Sequence, residues 1–395
     1  MTGDDLKMLC WKRLLGLVLL ATFGAQTAVA AECAATELAY VGTDGQHLRA
    51  LHFDACSGQM AMIGTVAELP KPRWAVLLAQ PPVLYVASDG DGKVGSVVSF
   101  ALDRHSGALT RINEAAAGGA GTTHLWLDQA SKTLLAANFG SGSAASLPLR
   151  PDGSVGAVVS TLKATGSGPH RRQASPHAHG ISVDPTGRYA LVADMGADRV
   201  FVYEFDRATH ALATGDTQAE AASRSFATPA GSGPRRAIFG ASSGASSDAD
   251  GRFVYVLNEL TAEVMVLRWD GRLGRLSLVQ TAPLSGPAFD GAKSASEIAV
   301  SRDGRFVYAL NRAENTIVVL RVDPASGELS TVQRLPSGGE APWAFDIHTS
   351  GQWLLVANYR SNRLNLFRID AASGLLADSG QALESPAPVS ITFAN

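Results

Sequence analysis

One pattern occurs seven times along this chain of 395 residues. Each copy has an apolar strand that ends in a small polar residue, a polar turn, an alternating strand, and a second turn rich in Asp, Ser and Gly. In the seven copies this apolar strand ends, at intervals of 45 to 64 residues, at Thr43, Ser88, Asn138, Asp194, Asn258, Asn311 and Asn358. A repeat of about 50 residues built from short strands is typical of a propeller blade.

Most copies have a further strand before the shared pattern, as in HGISVD and EIAVS, and several join the two with a D-x-x-G-R-like turn such as DPTGR. Each copy therefore predicts a four-stranded antiparallel meander. The C-terminal VSITFAN follows the seventh copy, and we expect it to be an inner strand of the blade that the N-terminal hairpin begins. Such closure removes exposed sheet edges. The sequence thus predicts an all-β protein, a seven-bladed β-propeller of four-stranded antiparallel blades.

The first 30 residues have the pattern of a signal peptide. Lys7, Lys12 and Arg13 precede the apolar run LLGLVLLATF, and a small-residue sequence, AVA, ends at Ala30. The apolar run is too short to span a bilayer, and no long apolar run follows it. We therefore expect residues 1–30 to be cleaved and residues 31–395 to form a single propeller domain. That domain is predicted to be periplasmic or secreted, monomeric and not bound to a membrane.

The charge of the chain limits the class of partner. The chain carries 33 basic and 36 acidic side chains, for a net charge of −3, and it has no basic run. This balance argues against nucleic acid as a partner. The Gly-x-Ser-x-Gly match GASSG, at residues 240–244, lies in a Gly/Ser-rich insertion typical of a surface loop, so it does not predict the nucleophile elbow of serine hydrolases. A small molecule is therefore the expected partner.

Two cysteines, Cys33 and Cys56, remain once the leader is removed, in a compartment where disulfides persist. The hairpin signal Asp44–Gly45 lies between them. A two-residue turn there would place Cys33 opposite Cys56, so we predict a disulfide between them. Strict register would make this a hydrogen-bonded pair with a longer Cα separation, which a bulge would change; two free thiols are the alternative.

In an antiparallel meander the start of the first strand and the end of the second lie at the same end of the blade. Side chains from these positions should therefore gather around one mouth of the central channel. The proposed catalytic residues among them are His179, Arg235, Glu259 and Arg312. The proposed substrate-binding residues are His124, Asp194, Arg236, Asn258, Glu297 and Asn311. Most of the charged positions belong to blades four to six, so they form one sector of the mouth.

This sector suits a small anionic substrate. Two arginines bind a carboxylate or phosphate and stabilise an oxyanion. His179 or Glu259 would take a proton from water, and either is a candidate base. The alternative is structural, with Arg235 and Arg312 bracing neighbouring blades through ion pairs to Glu259 and Glu297. His177 and His179 form a His-x-His pair, but the set of metal ligands is thin, so we predict neither a metal nor a cofactor.

Five segments together resemble one known family: SPHAHGISVDPTGRYALVADMGADRVFVY, GSGPRR, VYVLNEL, SASEIAVSRDGRFVYALNR and WLLVANYRSNRLNLFRID. They are similar to the seven-bladed propeller lactonases, which include propeller-type 6-phosphogluconolactonases and fungal carboxy-cis,cis-muconate cyclases. The resemblance covers nearly all of the mature chain and implies metal-free lactone chemistry. In the cyclase branch a His, two Arg and a Glu are the proposed active-site residues. By motif they fall on His179, Arg235, Arg312 and Glu259.

Two features depart from the family. Arg236 stands where the family commonly has a His, which adds a charge near the mouth. The leader would export the protein, whereas 6-phosphogluconolactone arises in the cytoplasm. We predict a 6-phosphogluconolactonase-like lactone hydrolase of carbohydrate metabolism, acting on a sugar lactone or a related anionic lactone. Two alternatives stay open: a non-enzymatic periplasmic binding propeller, and a muconate-type lactonising cyclase that uses the same residues.

Overall fold

The computed structural model describes residues 36–90, 92–215, 224–240 and 251–394. In this part of the chain, 29 strands form seven antiparallel sheets, and the inner strands of successive sheets contact one another in a closed ring. The all-β, seven-bladed prediction is therefore confirmed. The signal peptide predicted at residues 1–30 and the domain start at residue 31 lie outside the described residues and stay predictions. No helix in the described part of the chain is long and apolar enough to cross a membrane.

The strands follow the chain blade by blade. Blade 1 has β1 (Thr36–Thr43), β2 (His47–Asp54) and β3 (Met60–Glu68). Blade 2 has β4 (Pro72–Leu78), β5 (Val83–Ser88), β6 (Ser96–Leu102) and β7 (Leu109–Ala116). Blade 3 has β8 (Thr122–Asp128), β9 (Thr133–Asn138), β10 (Ser143–Pro148) and β11 (Ser160–Lys163). Blade 4 has β12 (Ala178–Val183), β13 (Tyr189–Asp194), β14 (Arg199–Asp206), β15 (Ala211–Ala213) and β16 (Phe226–Ala227), the last of which pairs with β14.

The remaining blades repeat the same order. Blade 5 has β17 (Pro234–Phe239), β18 (Phe253–Asn258), β19 (Glu263–Asp270) and β20 (Arg275–Pro283). Blade 6 has β21 (Ala295–Val300), β22 (Phe306–Asn311), β23 (Thr316–Val322) and β24 (Leu329–Pro336). Blade 7 has β25 (Pro342–Ile347), β26 (Trp353–Asn358), β27 (Arg363–Ile369) and β28 (Leu376–Glu384). The last strand, β29 (Pro388–Phe393), is the inner strand of blade 1.

The ring closes as predicted, because β29 pairs with β1 and places Ile391 opposite Val41. The register of the first hairpin differs from the prediction. Thr36 lies opposite Asp54, and a three-residue connection at 44–46 replaces the expected two-residue turn. The pairing is thus one residue out from the predicted register. Cys56 is disulfide-bonded; Cys33 lies outside the described residues, so its identity as the partner stays a prediction.

The core lies between the blades. The second strands of blades 2 to 7 are buried along their whole length, because both faces of each sheet pack against a neighbouring blade. The buried apolar side chains form seven clusters, each shared by two adjacent blades. This packing holds the inner strands in fixed positions around the channel.

Each inner strand of blades 2 to 7 has a register irregularity near its start. A β-bulge of this kind adds a residue to one strand and changes the direction of its side chain. The irregularities lie at Pro72/Trp74, Thr122/His124, Ala178/Gly180, Pro234/Arg236, Ala295/Ile298 and Pro342/Ala344. The candidate residues expected just before the inner strands therefore lie within the first residues of those strands.

Candidate active site

His179 and Arg235 are the bulge residues of neighbouring inner strands. His179 stands at the bulge of β12, and Arg235 occupies the same place in β17. Both side chains are buried, and Nη1 of Arg235 contacts Nε2 of His179. The two residues also lie the same number of positions before the turn that follows each inner strand, so their positions are equivalent in sequence as well as in structure. The bulges bring them into contact across the boundary between blades 4 and 5.

Glu259 is the carboxylate at the centre of the cluster. It follows β18, and its side chain is only 1% exposed. Arg235 Nη1 donates to its Oε2 at 2.8 Å, while Arg312 Nη2 and Arg172 Nη1 donate to its Oε1 at 3.0 and 2.6 Å. Burial raises the pKa of Glu259, but Arg235 and Arg312 outweigh it and hold the pKa well below its usual range. Glu259 is therefore ionised at neutral pH.

His179 is neutral at neutral pH. Burial, followed by the positive charges of Arg235 and Arg236, holds the pKa of His179 well below 6.5, and Glu259 only partly offsets them. Nη1 of Arg236 lies 3.2 Å from Nδ1 of His179 on the side of the ring opposite Arg235. A neutral imidazole accepts a hydrogen bond at one nitrogen only. The two guanidinium groups therefore compete for a single lone pair.

Arg236 pairs with Glu297 in the next blade. Its Nε and Nη2 donate to Oε1 and Oε2 of Glu297 at 3.0 and 3.1 Å, which is a bidentate pair. Its Nη1 also donates to the backbone oxygen of His179 at 2.7 Å, and its guanidinium lies 4.8 Å from the ring centroid of Trp74. Both partners are buried, so the pair is an internal ion pair that joins blades 5 and 6.

Arg312 and Trp343 border the cluster on the blade 6 to 7 side. The Arg312 guanidinium lies 4.6 Å from the Trp343 ring centroid, and its Nε and Nη2 donate to Ser294 Oγ at 3.1 and 2.7 Å. Trp343 is the bulge residue of β25 and is partly exposed. Its ring packs at 5.1 Å from that of Tyr359. The cluster thus has an aromatic wall beside its charged groups.

His124 lies beside the cluster on an inner strand, two blades from Arg236. Its Nδ1 accepts the backbone N–H of Ile181 at 3.3 Å, and its ring lies 4.5 Å from that of Trp74. Burial, then the charges of Arg236 and Arg235, holds the pKa of His124 well below 6.5. It is therefore a neutral, hydrogen-bonded member of the same channel wall.

Three further residues predicted to bind substrate are buried at the ends of the second strands of their blades. Oδ1 of Asp194 accepts three backbone N–H groups, from residues 177, 196 and 197, at 2.7 to 3.0 Å. Nδ2 of Asn311 donates to Glu314 Oε1 at 2.6 Å. Asn258 is fully buried, and its side-chain amide has no hydrogen-bond partner in the described part of the chain. Asp194 and Asn311 therefore bind groups of their own adjacent turns, as polar residues at strand ends commonly do. The substrate-binding role of all three residues stays a prediction.

His177 does not join His179 in a ligand set. Its ring stacks on Phe139 at 4.4 Å, and its Nδ1 lies 2.9 Å from the Phe139 backbone oxygen. The same Phe139 ring meets His179 edge-on at 5.3 Å. In the described ranges, no group of three or more His, Cys, Asp or Glu side chains is arranged to hold a metal ion. His177 therefore supports the phenylalanine that packs against His179.

Sequence reasoning missed Arg172, the third arginine on Glu259. It lies in the connection between β11 and β12, outside the repeated pattern. The only signal was two adjacent arginines, Arg171 and Arg172, shortly before the His-x-His pair. Which of these two would reach Glu259 depends on how the connection folds.

These observations define the class: a seven-bladed β-propeller with a buried His–Arg–Glu cluster near one mouth of its channel. Residues 34–393 match the sequence model of one protein family, described as lactonase, seven-bladed β-propeller. The chain belongs to that family. The resemblance inferred from the sequence motifs is confirmed.

Several relatives and solved structures are similar over nearly their whole length. The chain is 29% identical to the 6-phosphogluconolactonase of Bacillus subtilis over 360 residues, which cover 90% of this chain and 98% of that protein. It is 26% identical to the 6-phosphogluconolactonase of Formosa agariphila over 86% of this chain and 93% of that one. A solved structure of the periplasmic gluconolactonase of Pseudomonas aeruginosa is 33% identical, with a TM-score of 0.81, over 91% of this chain and 99% of that one.

Proposed function

We propose that the protein hydrolyses a sugar lactone at the cluster formed by His179, Arg235, Glu259 and Arg312. The observation that carries this proposal is the contact between a neutral histidine and an arginine that also binds a buried carboxylate. Membership of the lactonase family supports the reaction class. The similarity to a periplasmic gluconolactonase, together with the predicted leader, favours an exported enzyme that acts on a gluconolactone-like substrate.

His179 is the proposed general base. Both candidate bases have a lowered pKa, so the choice depends on which of them can still accept a proton from water. Three arginines bind the Glu259 carboxylate and lower its pKa, so Glu259 would accept a proton poorly. His179 is neutral, and protonation during the reaction would be favoured by Glu259, whose Oε2 lies 3.9 Å from its Nε2. Glu259 is thus proposed to hold the arginines and to stabilise the imidazolium.

In the proposed reaction a water oxygen attacks the lactone carbonyl carbon while Nε2 of His179 takes a proton from that water. Arg235 and Arg312 stabilise the oxyanion that forms on the carbonyl oxygen. When the carbonyl re-forms, the bond to the ring oxygen breaks, and His179 returns its proton to that oxygen. The hydroxy acid then ionises and releases one proton to solvent.

Arg235 is proposed to link substrate binding to release of the base. Its Nη1 contacts Nε2 of His179, the same nitrogen that must accept a proton from water. A carbonyl oxygen arriving at Arg235 would take over this donor and leave Nε2 free. Trp343 beside Arg312 would supply an apolar surface for one face of the sugar ring. Neither step requires a metal.

The test is a pH-stat assay on the mature protein with gluconolactone, its 6-phosphate and several unrelated lactones, each with and without a chelator. We expect proton release above the buffer rate for a sugar lactone, unchanged by the chelator. A rate equal to buffer for every lactone would exclude the hydrolase. A chelator-sensitive rate would exclude the metal-free mechanism. The muconate-type cyclase would instead consume an unsaturated diacid, which absorbance at its diene band would detect.

A further inference from the structure

Arg172 reaches the cluster from an arm of the chain that is not part of any blade strand. This arm is the connection between β11 and β12, residues 164–177. Nη1 of Arg172 donates to Oε1 of Glu259, which belongs to the neighbouring blade 5. The contact is short, at 2.6 Å, and joins an exposed side chain to a buried one. Arg172 is therefore the outermost charged group that touches the carboxylate.

A buried glutamine holds this arm in place. Nε2 of Gln173 donates to the backbone oxygen of Met195 at 2.7 Å and to Oδ1 of Asp198 at 2.6 Å. Oδ1 of Asp198 also accepts the N–H of Gly233 at 2.8 Å, in the loop that leads into β17. Within the arm, the backbone N–H of Gly168 donates to the backbone oxygen of Gln173 at 2.9 Å. Arg172 is thus adjacent to a residue, Gln173, whose position is fixed by hydrogen bonds to the body of the fold.

The cluster carries more positive than negative charge. Four arginines, Arg172, Arg235, Arg236 and Arg312, contact two carboxylates, Glu259 and Glu297. With His179 neutral, the guanidinium groups exceed the carboxylates by two. Positive charge that its own fold does not neutralise attracts an anion, and desolvated guanidinium groups bind carboxylate or phosphate strongly.

The exposure of the arginines shows which of them an incoming anion meets first. The side chains bound to Glu259 are 41% exposed for Arg172, 14% for Arg312 and 4% for Arg235. Arg172 and Arg312 share Oε1, whereas Arg235 alone holds Oε2. Arg172 can therefore leave Glu259 without leaving either carboxylate oxygen unpaired.

We propose that Arg172 is a specificity-determining residue. When an anionic lactone binds, the Arg172 guanidinium leaves the Glu259 carboxylate and pairs with a negatively charged substituent of the substrate. The substituent is a phosphate or a carboxylate remote from the lactone carbonyl, so Arg172 binds it while Arg235 and Arg312 face the carbonyl oxygen. This inference rests on the proposed function. It adds that the enzyme prefers anionic lactones to the uncharged parent, and that Arg172 is the source of the preference.

The test compares Arg172→Gln with wild type on three probes: gluconolactone, its 6-phosphate, and a glucarolactone that carries a carboxylate. We expect the KM for the two charged lactones to rise about tenfold or more, with kcat nearly unchanged, while the KM for gluconolactone changes by less than about twofold. Arg171→Gln is the matched control, because Arg171 is an exposed neighbour for which no ion pair occurs among the described residues. It should match wild type on all three probes. A rise in KM for only one of the two charged probes would still support the inference and would restrict the anion to phosphate or to carboxylate.

Equal changes in KM on charged and uncharged lactones, or no change, would overturn the inference while leaving the hydrolase intact. Binding of 6-phosphogluconate and gluconate, followed by calorimetry, tests the same residue without turnover. We expect wild type to bind the phosphorylated acid more tightly and Arg172→Gln to lose that difference. A difference that persists in Arg172→Gln would contradict the assignment. Arg172→Lys should restore part of the preference, which a merely structural role would not produce.

Discussion

His179 and Arg235 occupy the same bulge position in two neighbouring inner strands, and the guanidinium of one contacts the imidazole of the other. The contact joins the proposed base to the proposed oxyanion-stabilising group across a blade boundary. A propeller repeats each structural position in every blade, so a change of residue type at one position places different chemistry side by side. Here that variation produces a histidine and an arginine in adjacent blades.

Arg235→Ala should lower kcat for lactone hydrolysis by about 100-fold to 1,000-fold, because it removes the main donor to the oxyanion. Its effect on KM should be smaller, since the oxyanion exists only in the transition state. Steady-state kinetics on gluconolactone check this. Arg363→Ala, an exposed arginine on β27, is the control and should keep the wild-type rate. A change confined to KM would assign Arg235 to ground-state binding instead.

Glu259→Gln should destabilise the fold by about 3–5 kcal/mol at neutral pH, because it leaves buried guanidinium groups without a counter-charge. The pKa of Glu259 is lower in the folded state than its usual value of 4.5. The stability that it contributes is therefore full above about pH 4.5 and lost as the pH falls towards the lower folded-state pKa. Chemical unfolding at a series of pH values should show a shallower loss of stability below pH 4.5 in Glu259→Gln than in wild type. Parallel curves would contradict this assignment.

The Arg236–Glu297 ion pair should contribute to the stability of the fold as a coupled pair. Removing one partner, as in Arg236→Met or Glu297→Gln, is expected to cost about 3–5 kcal/mol of unfolding free energy. The double variant should cost less than the sum of the two single changes, because no buried charge is left alone. Denaturant unfolding of the four proteins measures this coupling. Additive losses would mean that the two side chains do not stabilise one another.

Gln173→Ala should act through Arg172, because Gln173 fixes the arm that carries it. We expect a rise in KM for a phosphorylated lactone of about threefold to tenfold, a near-normal kcat and little change with uncharged gluconolactone. Gln173→Glu is less suitable, since it would place a second carboxylate beside Asp198. If Gln173→Ala raised the KM for charged and uncharged lactones by the same factor, the arm would support the whole site rather than the contact with the anion.

Most of the fold could be predicted because the repeat marks each blade in the sequence. All seven second strands end at the predicted polar residues, from Thr43 to Asn358, and β29 closes the ring. The register predicted for the first hairpin is wrong because Asp44–Gly45 favours a two-residue turn, whereas the chain forms a three-residue connection there. Local turn preferences alone do not decide the register, which also depends on pairing with the neighbouring strands.

The site could be predicted only where it follows the repeat. The equivalence of His179 and Arg235 was visible in their spacing from the following turn, and Glu259 and Arg312 follow equivalent asparagines. The bulges could not be predicted, because each lies within the first residues of a short strand and leaves too few residues before it to show a break in the apolar alternation. Arg172 could not be assigned, since its contact with Glu259 depends on the fold of a connection that has no repeat counterpart.

The most direct test of the account is the rate of gluconolactone hydrolysis by His179→Ala, measured in a pH-stat beside wild type. We expect kcat to fall by about 100-fold to 10,000-fold, as is usual when a general base is removed. His105→Ala, a change in an exposed turn, should keep the wild-type rate. In wild type, kcat/KM should stay high below pH 6.5, because the pKa of His179 lies well below that value. Hydrolysis by His179→Ala at the wild-type rate would contradict the proposed mechanism.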